Sequence, residues 1–227
     1  MKGIIQNYRK GAREHRKAVF LEHFAIRPST RILDIGSEDG SNIAFILEGT
    51  GIEPANVFIA DIDEDLINRG KETYGFTPVR VEEDGRIDFP DHYFDIVYCS
   101  SVIEHVTVPK ERVWDKHLKP SEFLSLARAN QRRLADEIKR LGCGYFVQTP
   151  NRGFLFESHT WLPFVGWLPW RYRRAIIALT NRFWIKKTIP DFHLLGRHEL
   201  ESLFDDAILI PEVSLGHVKS WMCIKTA

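Results

Sequence analysis

The sequence predicts a doubly wound α/β domain, in which helices cover both faces of a mostly parallel β-sheet. Two observations support this class. Short apolar runs, first at residues 32–35 and then at residues 57–60, are each followed by a segment of helical character, which is the order that parallel strands joined by crossover helices require. Both runs also lead into polar turns, and ligands of such sheets bind outside the carboxyl ends of the strands.

Residues 8–24 precede the first strand and are rich in arginine, lysine, glutamate and alanine. Phe20 and Phe24 lie one helical turn apart, so the segment is predicted to be an amphipathic helix whose apolar side packs on the sheet. Pro28 then breaks the helix and leads into the first strand.

The turn after the first strand organises the rest of the chain. Gly36 and Gly40 permit a positive φ or a close approach of the backbone, and Ser41 or Asn42 is expected to cap the helix that runs to residue 47. Backbone N–H groups in such a turn point towards a ligand.

Two acids in this region limit the kind of ligand. Asp34 ends the strand, and Glu38 occupies a position where the dinucleotide-binding fingerprint would have another glycine. These carboxylates would repel an anionic pyrophosphate, whereas a cationic ligand would be attracted.

An acid also ends the second apolar run. Asp61 lies at the carboxyl end of the predicted strand, where a carboxylate can accept both hydrogen bonds from a ribose diol. Asp63 and Asp65 are expected in the first turn of the helix that follows, because the helix dipole favours acids there.

The first turn resembles the first motif of the class I S-adenosylmethionine-dependent methyltransferases. The pattern Asp34-x-Gly36-x-x-x-Gly40 is similar to the family motif D-x-G-x-G-x-G, with Glu38 in place of the middle glycine. Asp61 matches the acid that binds the cofactor ribose in this family.

Two later segments carry the resemblance further. Residues 84–97 resemble the family segment D-x-x-x-L-P-F-x-D-x-S-F-D-x-V, with Asp88 where proline is usual. By this match Asp84 contacts the adenine amino group. Residues 100–106 resemble S-x-V-L-E-H-V, a loop beneath the transferable methyl group, where His105 either orders the cofactor pocket or accepts a proton from the substrate.

The resemblance implies that the chain binds S-adenosylmethionine. The residues expected to contact this cofactor are Asp34, Gly36, Ser37, Gly40, Asp61, Ile62, Asp84, Gly85, Ser100 and His105. Tyr8, Arg13 or Arg16 would close over it if the N-terminal helix acts as the caps of similar methyltransferases do; otherwise that helix only packs on the sheet edge.

The segment around residue 150 predicts part of the substrate site. Residues 122–141 are predicted to be the long crossover helix, ended by residues 141–144, and residues 145–148 to be the fifth strand. The Thr149-Pro150-Asn151 that follows resembles the T-P-N of a subset of small-molecule and glycan methyltransferases, so Asn151 is expected to face the substrate.

The predicted architecture is a doubly wound, mostly parallel seven-stranded sheet with an antiparallel last strand and a helical aromatic and basic insertion after strand 5. A helix at residues 198–204 precedes the last strands, at residues 207–210 and 220–225. We expect one methyltransferase domain over residues 1–227. Its parts are an N-terminal helical cap (1–28), a cofactor-binding core (29–152), a substrate-side insertion (153–195) and a C-terminal helix with a strand pair (196–227).

The composition of residues 158–190 differs from the rest of the chain. The segment contains no acid, and it carries four of the six tryptophans together with a group of arginines and lysines. Such a pattern predicts either a lid over the substrate or a helix at a membrane surface; its apolar centre is too short to span a bilayer.

Three histidines are candidates for a general base, namely His105, His159 and His193. His159 is favoured as a catalytic and substrate-binding residue, because it follows the fifth strand into the insertion. No metal is predicted, since the sequence shows neither a close cluster of acids nor a helical His-x-x-x-His.

Composition excludes some functions and leaves others open. The formal net charge of zero gives no reason to expect a nucleic-acid partner. Cys99, Cys143 and Cys223 are far apart and lie in apolar runs, which predicts free thiols and a cytoplasmic protein, with peripheral contact at the inner membrane face as the variant.

The sequence therefore predicts transfer of a methyl group from S-adenosylmethionine to an oxygen or nitrogen of a small molecule, with a sugar or a lipid-linked glycan as one candidate. Methylation of RNA or protein by the same fold is an alternative. A module that binds the cofactor without catalysis is another.

Overall fold

The computed structural model describes residues 2–82 and 85–226, and for residues 2–9 it describes the backbone only. One seven-stranded sheet has the strand order β3-β2-β1-β4-β5-β7-β6. Its strands are β1 (Ile32–Ile35), β2 (Val57–Asp61), β3 (Thr77–Arg80), β4 (Phe94–Ser100), β5 (Gly142–Pro150), β6 (Ile208–Ser214) and β7 (His217–Lys225). The sheet is mostly parallel with antiparallel last strands, as the sequence predicts.

Six α-helices are present in the described part of the chain. They are α1 (Lys2–His23), α2 (Ser41–Leu47), α3 (Glu64–Tyr74), α4 (Pro120–Leu141), α5 (Trp170–Thr180) and α6 (Arg197–Leu203). Helix α5 belongs to the predicted insertion after β5, and α4 is the predicted crossover helix.

Strand β1 lies between β2 and β4 and is parallel to both. Leu33 pairs with Phe58 on one side and with Val97 on the other. Because β1 connects to β2 while its other neighbour is β4, the strand order reverses beside β1, and its carboxyl end is the switch point where such sheets bind ligands.

The chain divides into two compact units. The first unit comprises Met1–Cys99, Glu137–Phe146 and Ile224–Ala227, and the second comprises Ser100–Asp136 and Val147–Cys223.

An aromatic cluster holds α1 in the first unit. The ring of Phe20 lies 5.6 Å, centre to centre, from both Tyr98 and Phe146, and those two rings stack at 5.3 Å. Phe24 is also buried. The predicted apolar side of the helix is thus the side that packs, and burial of such rings stabilises a fold by several kcal/mol in total.

The second unit packs the insertion against α4. Trp170 stacks on Phe123 with ring centres 4.4 Å apart, and its indole N–H donates to the carbonyl of Pro190. Ile177 is fully buried in a cluster with Phe192. The insertion therefore has an apolar core of its own.

The predictions for the starts of α2 and α3 need correction. Gly40, and not Ser41 or Asn42, precedes the first turn of α2, and no side chain caps that helix. Asp63 caps α3 from outside the helix, accepting from the N–H groups of Asp65 and Leu66, instead of lying in its first turn. These turns use a left-handed backbone or an aspartate cap, and periodicity does not distinguish such positions.

Residues 142–144 belong to β5 and do not end α4 as a loop. A Cβ added at Gly142 would lie 2.9 Å from a methyl of Val97 and 2.5 Å from the carbonyl oxygen of Gly144. The strand can begin directly after Leu141 because glycine lets the backbone pass this close to β4.

Helix α3 packs on the glycine turn through Gly70, and this contact can be tested. A Cβ at Gly70 would lie 2.5 Å from Cδ1 of Ile59 and 2.7 Å from the carbonyl oxygen of Asp39. Since backbone cannot easily move away, we expect Gly70→Ala to lower the free energy of unfolding by about 1–3 kcal/mol.

Urea denaturation of Gly70→Ala and of a control, Gly11→Ala, measures this effect. A Cβ at Gly11 meets no described atom within 4 Å, so the control should gain up to about 1 kcal/mol from the better helix propensity of alanine. Equal stability of Gly70→Ala and wild type would contradict the close approach.

Candidate active site

The turn between β1 and α2 has a left-handed backbone at three alternate positions. The φ angles are +70° at Gly36, +51° at Glu38 and +74° at Gly40. The N–H of Gly36 donates to the carbonyl of Ala60 at 2.7 Å, which ties the turn to β2. Glu38 therefore takes a conformation that favours glycine, which the family motif has at this position.

The carboxylate of Asp61 binds this turn with one oxygen and the start of α3 with the other. Oδ2 accepts from the N–H of Glu38 at 3.0 Å, and Oδ1 accepts from the N–H of Asp63 at 3.1 Å. Each oxygen has a second lone pair, so the carboxylate can still accept from a diol. The ribose contact expected of Asp61 remains a prediction.

Asp34 is a buried acid with one oxygen unsatisfied. Its side chain is 3% exposed, and neither its Oδ2 nor the Oγ of Ser37 has a hydrogen-bond partner among the described residues. Burial, and then the charge of Asp61, raise the pKa of Asp34 well above its usual range. Because a bare buried carboxylate is costly, the site is suited to a ligand that brings a positive charge.

Of the other residues of the first unit that are predicted to contact or cover the cofactor, Ile62 and Gly85 have few described contacts near the turn, whereas Arg13 contacts α2. Ile62 is 81% exposed, and Gly85 has a φ of +86°, with no described atom within 4 Å of a Cβ added there. Arg13 donates to the carbonyl of Ser41 and so is bound to α2. Asp84 and the side chain of Tyr8 lie outside the described residues.

Ser100 is the predicted cofactor residue at the end of β4. Its hydroxyl and that of Ser101 donate to Oε1 of Gln148 at 2.8 and 3.0 Å. These bonds fix the loop after β4. The contact of Ser100 with a cofactor remains a prediction.

His105 and His159 meet in the second unit. Their rings lie 4.6 Å apart, centre to centre, and perpendicular to each other. Nε2 of His159 is 3.9 Å from Oε1 of Glu104, a fully buried side chain. Glu104, His105 and His159 each offer one atom within 4.8 Å of the others, so these three residues could hold a metal ion.

Each of the two histidines is bound to a buried carboxylate. Nδ1 of His105 is 3.1 Å from Oδ1 of Asp191, and Nδ1 of His159 is 2.5 Å from Oε1 of Glu157. Burial lowers the pKa of His105, but the bond to Asp191 and the charge of Glu104 outweigh it and the pKa is raised. Burial raises the pKa of Glu157, but the contacts with His159 outweigh it and lower the pKa to about 2.

The remaining predicted substrate residue, Asn151, is bound to β7 and to its own loop. Its Nδ2 donates to the carbonyl of Val218 at 2.8 Å, and its Oδ1 accepts from the N–H of Gly153 at 3.2 Å. One N–H and one lone pair are left for a substrate. His193, the third candidate base, is buried against Gln131, and burial lowers its pKa to about 4.

The sequence shows no local metal motif, but the fold brings a possible ligand set together, and the absence of a metal remains a prediction. Glu104 and His105 come from the loop after β4, whereas His159 comes from the insertion. The sequence separates them by more than fifty residues, so no local spacing could reveal the cluster. Asp191, which holds His105, was missed for the same reason, whereas Glu157 lies only two residues before His159 and was not singled out.

The fold and the turn define a Rossmann-like domain of the methyltransferase type, and residues 33–141 match the family model described as Methyltransferase domain. Over 90 residues the chain is 31% identical to the ubiquinone/menaquinone biosynthesis C-methyltransferase UbiE of Vibrio vulnificus, covering 36% of this chain and 33% of that protein. The match thus spans about one third of the curated relative.

Solved structures show the same fold. A SAM dependent methyltransferase from Aquifex aeolicus aligns with a TM-score of 0.51 and 13% identity, covering 92% of this chain and 87% of that one. Loganic acid methyltransferase with SAH aligns with a TM-score of 0.55 and 17% identity, covering 92% and 74%. The family match over residues 33–141 and the shared fold are consistent with a class I S-adenosylmethionine-dependent methyltransferase. None of the described helices has the length and apolar character needed to cross a membrane.

Glu104 and Glu157, two buried glutamates of the second unit, should respond differently to loss of charge. Glu157 accepts from the N–H groups of His159 and Thr160 and from the His159 ring, so we expect Glu157→Gln to lower the free energy of unfolding by roughly 2–5 kcal/mol. Glu104 has an unpartnered Oε1, so Glu104→Gln should cost less than about 1 kcal/mol or be stabilising.

Urea denaturation of the two variants in chelator-treated buffer provides the comparison. The same chemical change at two buried sites serves as its own control. A larger loss for Glu104→Gln than for Glu157→Gln would contradict the described hydrogen bonding.

Proposed function

We propose that the chain binds S-adenosylmethionine at the β1–α2 turn and transfers its methyl group to an oxygen or nitrogen of a small molecule. The observation that carries the proposal is the buried, unsatisfied carboxylate oxygen of Asp34 at the switch point of the sheet. A cofactor with a sulfonium and an ammonium group compensates such a charge. An anionic dinucleotide does not.

The residues present fit this cofactor. Asp34 and Ser37 would supply buried acceptors, Gly36 and Gly40 a turn without side chains in the way, and Asp61 an acid at the end of β2. When bound, S-adenosylmethionine supplies an electrophilic methyl group. The protein then has to bind and orient the cofactor and the acceptor and to exclude water. Positioning of this kind is worth roughly 7–11 kcal/mol.

A hydroxyl acceptor must also lose its proton. The carboxylate of Glu157 holds Nδ1 of His159, which leaves Nε2 as the basic nitrogen, and Asp191 does the same for His105. We propose His159 as the general base and His105 as its alternative, each able to contribute about 10²–10⁴-fold.

The acceptor is proposed to be a small molecule because the net charge of zero offers no attraction for RNA. A sugar or a lipid-linked glycan fits the likeness of residues 149–151 to the T-P-N of glycan methyltransferases. Carbon is the second candidate for the acceptor atom, favoured by the match to a C-methyltransferase.

Asp34→Asn tests the cofactor site. The variant removes the buried charge, so we expect it to weaken S-adenosylmethionine binding by about 1.5–3 kcal/mol, the worth of a hydrogen bond to a charged group. Calorimetric titration measures the affinity. The control is Asp65→Asn, the same change at an exposed acid of α3, which should leave the affinity unchanged.

If wild type and Asp34→Asn bind equally, Asp34 does not face the cofactor. If wild type shows no affinity at all, the cofactor proposal fails. Thermal unfolding of each variant confirms that the compared proteins are folded.

The insertion supports a second proposal, contact with an anionic membrane surface. Leu179, Phe183 and Ile185 are 56%, 70% and 85% exposed, beside the basic residues Arg182 and Lys187. An apolar tip with positive charge binds the boundary of an anionic leaflet.

Vesicle sedimentation tests this contact. We expect binding to anionic but not to neutral vesicles, lost at high salt because each basic residue contributes about 1 kcal/mol. The double change Phe183→Ser and Ile185→Ser should abolish it. Absence of binding to both kinds of vesicle would assign the segment to the substrate as a lid.

A further inference from the structure

We propose that Glu104, His105 and His159 form a binding site for a divalent transition-metal ion. The three residues come from two separate segments of the second unit, and one ligand atom of each lies within 4.8 Å of the others. Two imidazole nitrogens and one carboxylate oxygen are a donor set that Zn²⁺ and Fe²⁺ bind in proteins.

The histidines are oriented as metal ligands are. Nδ1 of His105 is bound by Asp191, and Nδ1 of His159 by Glu157. Both carboxylates are buried, with side chains 7% and 0% exposed. When Nδ1 donates to a carboxylate, Nε2 carries the lone pair, and such partners fix the ring and raise its basicity towards a metal.

The third ligand has an oxygen with nothing to bind. Glu104 is fully buried, and its Oε2 accepts from the hydroxyl of Thr149 at 2.9 Å. Its Oε1 has no hydrogen-bond partner among the described residues, and 3.9 Å to Nε2 of His159 is too long for a hydrogen bond. A cation at Oε1 satisfies this oxygen, while Thr149 orients the carboxylate.

The buried charge around the cluster is unbalanced. Three buried carboxylates, those of Glu104, Glu157 and Asp191, lie in or against it. The buried cation of this region is Arg173, which covers the ring of Phe192 and donates to its carbonyl. When both histidines are neutral, as metal ligands are, negative charges among the described buried residues of this region exceed positive ones by two, which one divalent ion neutralises.

The geometry needs only a small adjustment. Ligand atoms around one tetrahedral ion lie about 3.3–3.6 Å apart, given bonds of about 2.0–2.2 Å to nitrogen and oxygen. The 4.8 Å separation closes by side-chain rotation, for which His105, 35% exposed, has room. Three protein ligands leave a coordination position open for water or a substrate oxygen, and while the ion is bound His105 and His159 act as ligands and not as general bases.

Calorimetric titration of the chelator-treated, dialysed full chain with Zn²⁺ tests the site. We expect one ion per chain. Glu104→Gln and His159→Ala should each weaken binding at least 100-fold, and Asp191→Asn about 10–100-fold, since it only orients His105. The control is His198→Ala, which removes a surface histidine paired with Glu201 and should leave binding unchanged.

Two further measurements keep the result interpretable. Glu104→Gln should unfold in chelator at the same temperature as wild type or higher, which separates loss of a ligand from loss of the fold. Co²⁺ bound to wild type should show the visible absorption of a site with imidazole ligands, absent in His159→Ala.

No binding of Zn²⁺ by folded wild type would overturn the proposal, and the histidines would then be a hydrogen-bonded network. Binding that Glu104→Gln and His159→Ala leave intact would overturn it as well. Equal affinity for Mg²⁺ would refute the transition-metal assignment. No S-adenosylmethionine is present in these measurements, so their failure would not bear on methyl transfer.

Discussion

The turn between β1 and α2 is the constraint on which the first unit depends. Its backbone is left-handed at Gly36, Glu38 and Gly40, and it stays in place because β2 holds it through Ala60 and the carboxylate of Asp61. The strand that precedes this turn lies between two parallel neighbours. The turn therefore stands at the switch point, where the backbone N–H groups and carboxylates of a doubly wound sheet reach a ligand.

Buried carboxylates with an unsatisfied oxygen occur in both units. Asp34 lies at the end of β1, and Glu104 lies in the loop after β4. Burial of an uncompensated charge costs several kcal/mol, so each of these oxygens indicates a positively charged partner. For Asp34 that partner is the proposed cofactor, whereas for Glu104 it is the proposed metal ion.

Local patterns were sufficient for much of the fold. Asp61 and the glycine turn follow from strands that end in polar residues, and the packed side of α1 follows from the spacing of Phe20 and Phe24. The cluster of Glu104, His105 and His159 was not predictable. Glu104 is distant in sequence from His159, as Asp191 is from His105, and only tertiary packing joins them. The predictions of the residues that cap α2 and α3 were wrong, because several neighbouring polar residues in the sequence could serve as caps equally well.

The central claim, that this chain transfers a methyl group to a small molecule, is tested most directly with methyl-labelled S-adenosylmethionine. The protein is incubated with the labelled cofactor and a cell extract, and small molecules are separated from protein and RNA. The proposed function predicts protein-dependent label in the small-molecule fraction. Label in the protein or RNA fraction, or no labelled product at all, would contradict it.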